Sequence, residues 1–416
     1  MVRAHIRCDR ALDRSYLNRR RNRPFRSSRW PYLRLRAHLV LEEEQDVIQQ
    51  DGLMAKRKRK NRLFGITSRV LMLIVAALLA LSYLSIVINP AQVWMVSLSG
   101  LMFVPLMTLN MVLLFWALHR RSRSFLIPLL ALLPSFFFIG RYVQFNSDET
   151  IEVPAEGRTV KIVTWNVGRF AMHGGNTGVS SREECIDSVF SFIKSQEPDI
   201  ICLQEFSLRN GQKAKDYLQK RFKGYNAEYY LFPDDAGSFG NVTLSRLPVN
   251  GKGKIKFEES ANLAIYTDHK VEDRRFRVYN CHFESYNISF TGLIRGLAQR
   301  DSTVMAETSS KMKRSITRRP KQVDKVFEDI ENCPVESFVC GDFNDNPMSY
   351  TYYRMTRGRK DAFVEAGDGF GATYSLLWPM LRIDYVLYPD RYKAISHDIP
   401  RVPYSDHYPV VTEIHL

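Results

Sequence analysis

Three stretches without a charged residue fill much of the first third of the chain: residues 70–88, 93–118 and 125–140. A hydrocarbon core of about 30 Å is crossed by about 20 helical residues. The first two stretches are therefore long enough outright. The third is shorter and carries Pro128 and Pro134, but Tyr142, Val143 and Phe145 can extend it to about residue 143 while Arg141 snorkels. The alternative for it is a re-entrant or interfacial segment. Three stretches in succession argue against a cleaved signal peptide.

Charge sets an expected orientation. Lys56, Arg57, Lys58, Arg59, Lys60, Arg62 and Arg69 precede the first stretch, the link 89–92 is uncharged, and Arg120, Arg121 and Arg123 follow the second. Basic flanks mark the cytoplasmic side. With three crossings the protein is a multi-pass inner- or plasma-membrane protein, and everything after Arg141 lies outside the cytoplasm. With two, it lies inside.

The first 53 residues hold 12 Arg, no Lys and seven acids, with no sustained apolar period. They read as a disordered basic extension or a mis-assigned start before Met54, with a lipid-binding basic arm as the alternative. Residues 54–145 are then the anchor. Residues 151–416 hold 36 basic and 35 acidic side chains, so nearly all of the formal charge of +15 belongs to the N-terminal third. It does not make the C-terminal part a nucleic-acid binder. Six Cys form no C-x-x-C pair, and Cys202, Cys281 and Cys340 each fall in an apolar run, as buried thiols do.

From about residue 155 the pattern becomes α/β. Residues 160–166, 200–204, 242–245, 276–282, 337–341, 383–387 and 409–414 read as short strands rich in Val, Ile and aromatics. Residues 183–196 and 321–331 read as helices. Polar side chains gather where the strands end: Asn166, Gln204-Glu205, His282, Asp342 and Asn344, and Asp384, with Asp406-His407 before the last strand. Strand ends of a shared sheet are where α/β enzymes build sites. Carboxylates without Cys suit a hard cation such as Mg²⁺ or Mn²⁺. Imidazole and carboxamide groups can neutralise a phosphoryl group, and a carboxylate beside a His can activate water. No G-x-S-x-G, P-loop or G-x-G-x-x-G offers another chemistry.

The blocks TWNV (164–167), LQE (203–205), GNVTLSRLPV (240–249), YNCHF (279–283), GDFNDNP (341–347), RIDYVL (382–387) and SDHYPV (405–410) stand in order along the chain. In this order and spacing the sequence resembles the endonuclease/exonuclease/phosphatase superfamily over residues 158–416, and its N-terminus resembles that of membrane-anchored bacterial members. The resemblance implies a four-layer sandwich, two packed mixed β-sheets flanked by helices, as a catalytic domain over residues 155–416 behind a transmembrane helical segment. It also implies roles. Glu205 is the principal metal ligand, with Asn166 beside it in the metal and phosphate pocket. Asp342 orients or deprotonates water, and Asn344 holds that water or the transition state. His282 and His407 contact the phosphate oxygens, Asp406 fixes His407 or ligates metal, and Asp384 completes the cluster. Gln204 and Asn280 support these groups. His173 and His269 fall outside the blocks and are expected at the surface; His397 and His415 receive no role.

The resulting expectation is a membrane-anchored, Mg²⁺- or Mn²⁺-dependent phosphoesterase, nuclease-like, cleaving phosphodiesters or phosphomonoesters. Its partners are a bilayer met through three helices and a phosphoester substrate, with no obligate protein partner. Cleavage of phospholipid or sphingomyelin headgroups is the alternative, and a non-catalytic scaffold is the alternative of another class. No second acid of the deoxyribonuclease type is matched between residues 232 and 241. Two stretches bear on the substrate. The basic run from Lys311 to Lys325 suits a nucleic-acid backbone, anionic headgroups or a solvated helix face. The apolar run Tyr374, Leu376, Leu377, Trp378, Pro379 and Met380 suits lipid, a stacked base or simple packing.

Overall fold

The computed structural model describes residues 65–146, 157–172, 178–286, 295–296, 298–299 and 301–416. The expectations for residues 1–53, Met54, the basic run 56–62 and His173 lie outside them. Residues Arg69–Leu416 form one compact unit.

Three helices open the described chain: α1 (Gly65–Leu84), α2 (Trp94–Leu101) and α3 (Phe103–His119). Among the described residues α1 alone is long and apolar enough to cross a membrane. The axes of α2 and α3 meet at 61°, so they give a second span only if the bent pair crosses as one. The expected third span is a 3₁₀ turn, a short helix α4 (Leu126–Leu132) and a second 3₁₀ segment (Leu133–Phe137). Pro128 and Pro134 each lack an amide donor, and the regular helix stops at Leu132. The described residues therefore hold one candidate span, or two, where three were expected. The outward placement of the C-terminal half rested on that third crossing and loses its support.

A short strand β1 (Val143–Phe145) follows, then β2 (Thr159–Asn166), α5 (Arg182–Ser195), β3 (Ile200–Arg209), α6 (Ala214–Arg221), β4 (Asn226–Asp234), β5 (Gly237–Ser245), β6 (Val249–Lys256), β7 (Leu263–Val271) and β8 (Arg274–His282). The long helix α7 (Ser302–Glu331), β9 (Glu336–Asp342), α8 (Tyr350–Met355), β10 (Arg359–Asp361), α9 (Ala362–Ala366), β11 (Asp368–Phe370), β12 (Asp384–Pro389), β13 (Lys393–Asp398) and β14 (Val410–His415) complete the chain.

Twelve strands form two six-stranded sheets, ordered β13-β14-β2-β3-β5-β4 and β10-β12-β9-β8-β7-β6. Each has one parallel pair, β2 with β3 and β8 with β9. Val160, Ile162, Ile200 and Cys202 of one sheet pack against Phe276, Val278, Phe338, Cys340 and Val386 of the other. The opposite face of the first sheet buries Val163, Trp165 and Leu203 under α5 and Phe222. The opposite face of the second buries Tyr279, Val339 and Leu387 under Val323, Val326 and Phe327 of α7. Both faces of the central strands are covered, which explains the short unbroken apolar runs 200–203, 338–340 and 385–387. The expected four-layer sandwich is present. Cys202, Cys281 and Cys340 are free, buried thiols, as expected.

The helical segment is joined to the sandwich. β1 pairs antiparallel with β11, and Gly371 N–H bonds the Tyr142 carbonyl at 2.9 Å. Met348 packs with Leu79, Phe103 and Tyr142. Ser85 Oγ donates to the Met348 carbonyl at 2.6 Å, and Arg141 Nη1 to the Pro347 carbonyl at 3.1 Å. The Asn346 side-chain amide donates to the carbonyl of Gly100 at 3.0 Å, at the end of α2 where the helix bends. A side chain entering a helix end in this way satisfies a carbonyl that the broken ladder leaves free.

Candidate active site

Strand alternation assembles the site. On β2 the side chains of Val160, Ile162, Thr164 and Asn166 share one face, on β3 those of Ile200, Cys202 and Gln204. β8 repeats the pattern with Phe276, Val278, Asn280 and His282, and β9 with Phe338, Cys340 and Asp342. The apolar members fill the space between the sheets. The polar member at each strand end emerges at one edge of that space. Register then fixes neighbours: Asn166 lies opposite Gln204, and Asp342 lies between His282 and Asp384.

Glu205 reaches the same edge differently. The pairing of β3 with β5 slips between Leu203 and Phe206, and Glu205 has φ of 50°. This bulge turns its carboxylate toward the Asn166 amide, 3.3 Å away, and His282 Nε2, 3.7 Å away. A left-handed Glu is strained backbone held by its surroundings, a feature that gathers at functional sites.

Asp342 is the hub. Its Oδ1 accepts the main-chain N–H of Asn344 at 2.7 Å. Its Oδ2 accepts the amides of Asn166 at 2.9 Å and Asn344 at 3.0 Å. Nε2 of His282 and Nε2 of His407 each stand 3.8 Å from that oxygen. His407 Nδ1 meets Asp384 Oδ2 at 2.9 Å, and Trp165 Nε1 donates to the His407 carbonyl at 2.8 Å. Burial pushes the Asp342 carboxyl up to about 6; the His407 and His282 imidazoles oppose that rise and Asp384 adds to it. Burial pulls the His407 imidazole down, but the Asp384 and Asp342 carboxylates outweigh it and hold it well above the usual histidine range.

Most expected residues therefore converge. Two stand differently from the expectation. The Asn166 side-chain oxygen Oδ1 accepts the N–H of Gly168 at 3.0 Å, so its amide nitrogen Nδ2 faces Glu205 and Asp342. In that orientation it holds the carboxylates instead of offering a ligand oxygen. The carboxylate of Asp406 turns to Ser405 Oγ at 3.3 Å, and Asp384 is the hydrogen-bond partner of His407. Asp384 does not pair with Arg382, whose guanidinium is engaged by Asp361. Behind the site, Gln204 Nε2 donates to Asn280 Oδ1 at 2.8 Å, and Asn280 Nδ2 to the Val242 carbonyl at 2.9 Å. This polar bridge spans the two sheets directly below the cluster.

His269, expected at the surface, is buried: its Nε2 lies 2.8 Å from Thr267 Oγ1 and its ring packs on Phe276. The alternation Ile265, Thr267, His269, Val271 along β7 carries that signal. Sequence reading also missed three supports. Ser405 Oγ donates to the Asn166 carbonyl at 2.7 Å and accepts the His407 N–H at 3.2 Å. Thr373 Oγ1 accepts the N–H groups of Ile383 and Asp384. The Tyr374 ring stands edge-on to His407 with centroids 5.2 Å apart.

The donor set fits a hard divalent cation. Ligand atoms of Asp342, Asp384 and His407 lie within 4.8 Å of one another. Asp384 Oδ1 and His282 Nε2 are buried without a hydrogen-bond partner among the described residues. Glu205 is the carboxylate of the cluster that keeps appreciable solvent access, with 29% of its side chain exposed.

Comparison with known proteins identifies the family. The profile of the endonuclease/exonuclease/phosphatase family matches residues 163–407, and the chain belongs to that family. A domain of unknown function, DUF8431, matches residues 61–142. No curated protein sequence matches the chain significantly. Solved structures are similar in fold at low identity. The endonuclease/exonuclease/phosphatase from Beutenbergia cavernae is 18% identical, with 62% of this chain and 72% of that one covered and a TM-score of 0.46. The one from Bacteroides vulgatus is 19% identical, covering 62% and 99%, with a TM-score of 0.45. The human Nocturnin catalytic domain with bound sulfate is 17% identical, covering 64% and 100%, with a TM-score of 0.44.

Proposed function

We propose that this protein is a divalent-metal-dependent phosphoesterase held at a membrane by its N-terminal helices. The convergence of Asn166, Asn344, His282 and His407 on one buried carboxylate oxygen of Asp342 carries the reading. Glu205 is the residue to hold the cation, with the carboxylates of Asp342 and Asp384 as the neighbouring oxygen donors. Bound there, Mg²⁺ or Mn²⁺ would act as a Lewis acid on the phosphoryl oxygens.

The protein groups divide the remaining work. Asp342 orients water and accepts its proton as the new P–O bond forms and the bond to the leaving oxygen breaks. Asn344 and Asn166 fix the direction in which that carboxylate points. His407, charged and aligned by Asp384, and His282 donate to the non-bridging phosphate oxygens as negative charge builds on them. A low-dielectric setting between two sheets strengthens these interactions relative to water.

The test uses the full chain in detergent with bis-p-nitrophenyl phosphate. EDTA should abolish turnover, and Mg²⁺ or Mn²⁺ should restore it. Glu205→Gln should raise the Mg²⁺ concentration for half activity, because a neutral amide binds a hard cation poorly. Undiminished turnover in EDTA would refute the reading.

A further inference from the structure

We propose that Phe145, Phe370, Leu376 and Trp378 form a bilayer-contact rim beside the phosphate site, and that the phosphoester hydrolysed there is carried by a lipid. This inference rests on the phosphoesterase reading above and names its substrate class.

The apolar run 374–380 is the starting point. Its base is pinned to the site: Thr373 and Tyr374 N–H groups bond the Leu381 carbonyl at 3.0 and 3.2 Å, and Ser375 N–H bonds the Asp406 carbonyl at 2.8 Å. Its tip is not packed. Leu376 is 54% exposed and Trp378 38% exposed. The Trp378 ring touches Phe370, centroids 5.6 Å apart. Phe370 lies opposite Val143, and Asp368 opposite Phe145, so Val143, Phe145 and Phe370 share one face of the β1–β11 ribbon. Phe145 is 86% exposed.

Continuity identifies what covers this face. The ribbon follows directly on the apolar helical segment that ends at Phe137, where Phe136 and Phe137 are 81% and 80% exposed. Eight positions separate Phe137 from Phe145, three of them in a 3₁₀ turn (Ile139–Arg141). A chain of that length reaches no more than about 25 Å. Whatever surface solvates Phe136 and Phe137 is therefore within reach of the rim. The Arg401 guanidinium stands 4.2 Å from the Trp378 ring centroid. Aromatic bodies with a cationic group beside them suit the headgroup level of a bilayer.

Nucleic acid fits less well. The basic run 311–325 lies on α7, and two of its three arginines are engaged: Arg318 by Glu259 at 2.7 Å, and the buried Arg319 by Asp345 at 3.1 Å, while Arg314 is exposed. Tyr374 links the rim to His407. A lipid could keep its acyl chains in the bilayer while its phosphate passes Tyr374 to the site.

The experiment uses the full chain in phosphatidylcholine nanodiscs and two phosphodiesters sharing one leaving group, hexadecyl and methyl p-nitrophenyl phosphate. Wild type should favour the hexadecyl ester in kcat/KM by about tenfold or more. A Leu376→Ser/Trp378→Ser double variant should lose that preference while the methyl ester changes by less than about twofold. The emission lost on Trp378→Phe should be quenchable by dibrominated phosphatidylcholine. Equal kcat/KM for the two esters in wild type, a parallel fall of both rates in the double variant, or unquenched Trp378 emission would each overturn the proposal. Preferred cleavage of an oligonucleotide over both esters would replace the lipid with nucleic acid. Turnover of neither ester would instead sink the phosphoesterase reading, and quenching would still decide the rim.

Discussion

Asn346 and Gly100 are 246 positions apart in sequence, and the amide of one caps the carbonyl of the other at 3.0 Å. Asn346 sits two residues beyond Asn344, which positions Asp342. The bend between α2 and α3 and the loop that supports the site are thus one structure.

The same seam leaves no room for a side chain on Gly100, where an added Cβ would collide with Ser85 Oγ and the Met348 carbonyl. Gly100→Val should destabilise the protein by about 1–3 kcal/mol and lower kcat in step. Gly65→Val, at a position with open space around it, should do neither. Thermal melting and turnover of bis-p-nitrophenyl phosphate read both. Full kcat with an unchanged melting point in Gly100→Val would show that the loop does not depend on the helix.

Removing the partner of His407 Nδ1 isolates the role of charge on that ring. Asp384→Asn should lower kcat by about 10²-fold with little change in KM or melting temperature. Asp342→Asn should cost about 10²–10⁴, since it removes the proton acceptor itself. Near-normal kcat in either variant would contradict the assigned roles.

Arg382 and Asp361 are both fully enclosed and face each other, with Nη1 3.1 Å from Oδ1. Burial works against ionised Asp361, yet Arg382 and Tyr352 hold its carboxyl below the usual range. Arg382→Leu strands that charge and should cost about 3–5 kcal/mol. The joint change Arg382→Leu/Asp361→Leu should recover part of the loss, measured by denaturant unfolding.

Two histidines are buried neutral. Burial pulls His269 down to about 4 and His397 down to about 3, with Asp268 and Asp361 respectively opposing the shift. Unfolded, each takes a proton near pH 6.5. The unfolded state therefore binds more protons between about pH 6.5 and 3, and stability rises with pH across that window. It should be complete above about pH 6.5 and fall by about 2–3 kcal/mol per histidine on acidification to pH 4. His269→Gln should flatten this slope in urea titrations. An unchanged slope in that variant would assign the acid sensitivity elsewhere.

The sheet edge that carries the site was legible because strand period and strand ends are local properties. Asn166, His282 and Asp342 each close an apolar strand pattern, Asp384 opens one on an antiparallel neighbour, and register brings them together. The partner of His407 was not legible. Asp406 is its neighbour in sequence, but the bond to His407 Nδ1 is made by Asp384, which arrives from another strand. The shortness of α4, in the third uncharged stretch, has a similar cause. Composition alone counts Phe125–Gly140 as apolar, whereas Pro128 and Pro134 decide how far a helix can run. Burial of His269 was written in the β7 alternation and overlooked because the residue lies outside the motif blocks.

The seam at Met348 has an evolutionary corollary. Helices that only tether can be exchanged for any other apolar segment, and their sequences drift freely. Here Ser85, Gly100, Phe103 and Tyr142 are fitted to a loop of the catalytic half. Such a pair must be inherited together, and a chimera that borrows its helices from another protein should fold poorly unless the loop at residues 345–348 is borrowed with them.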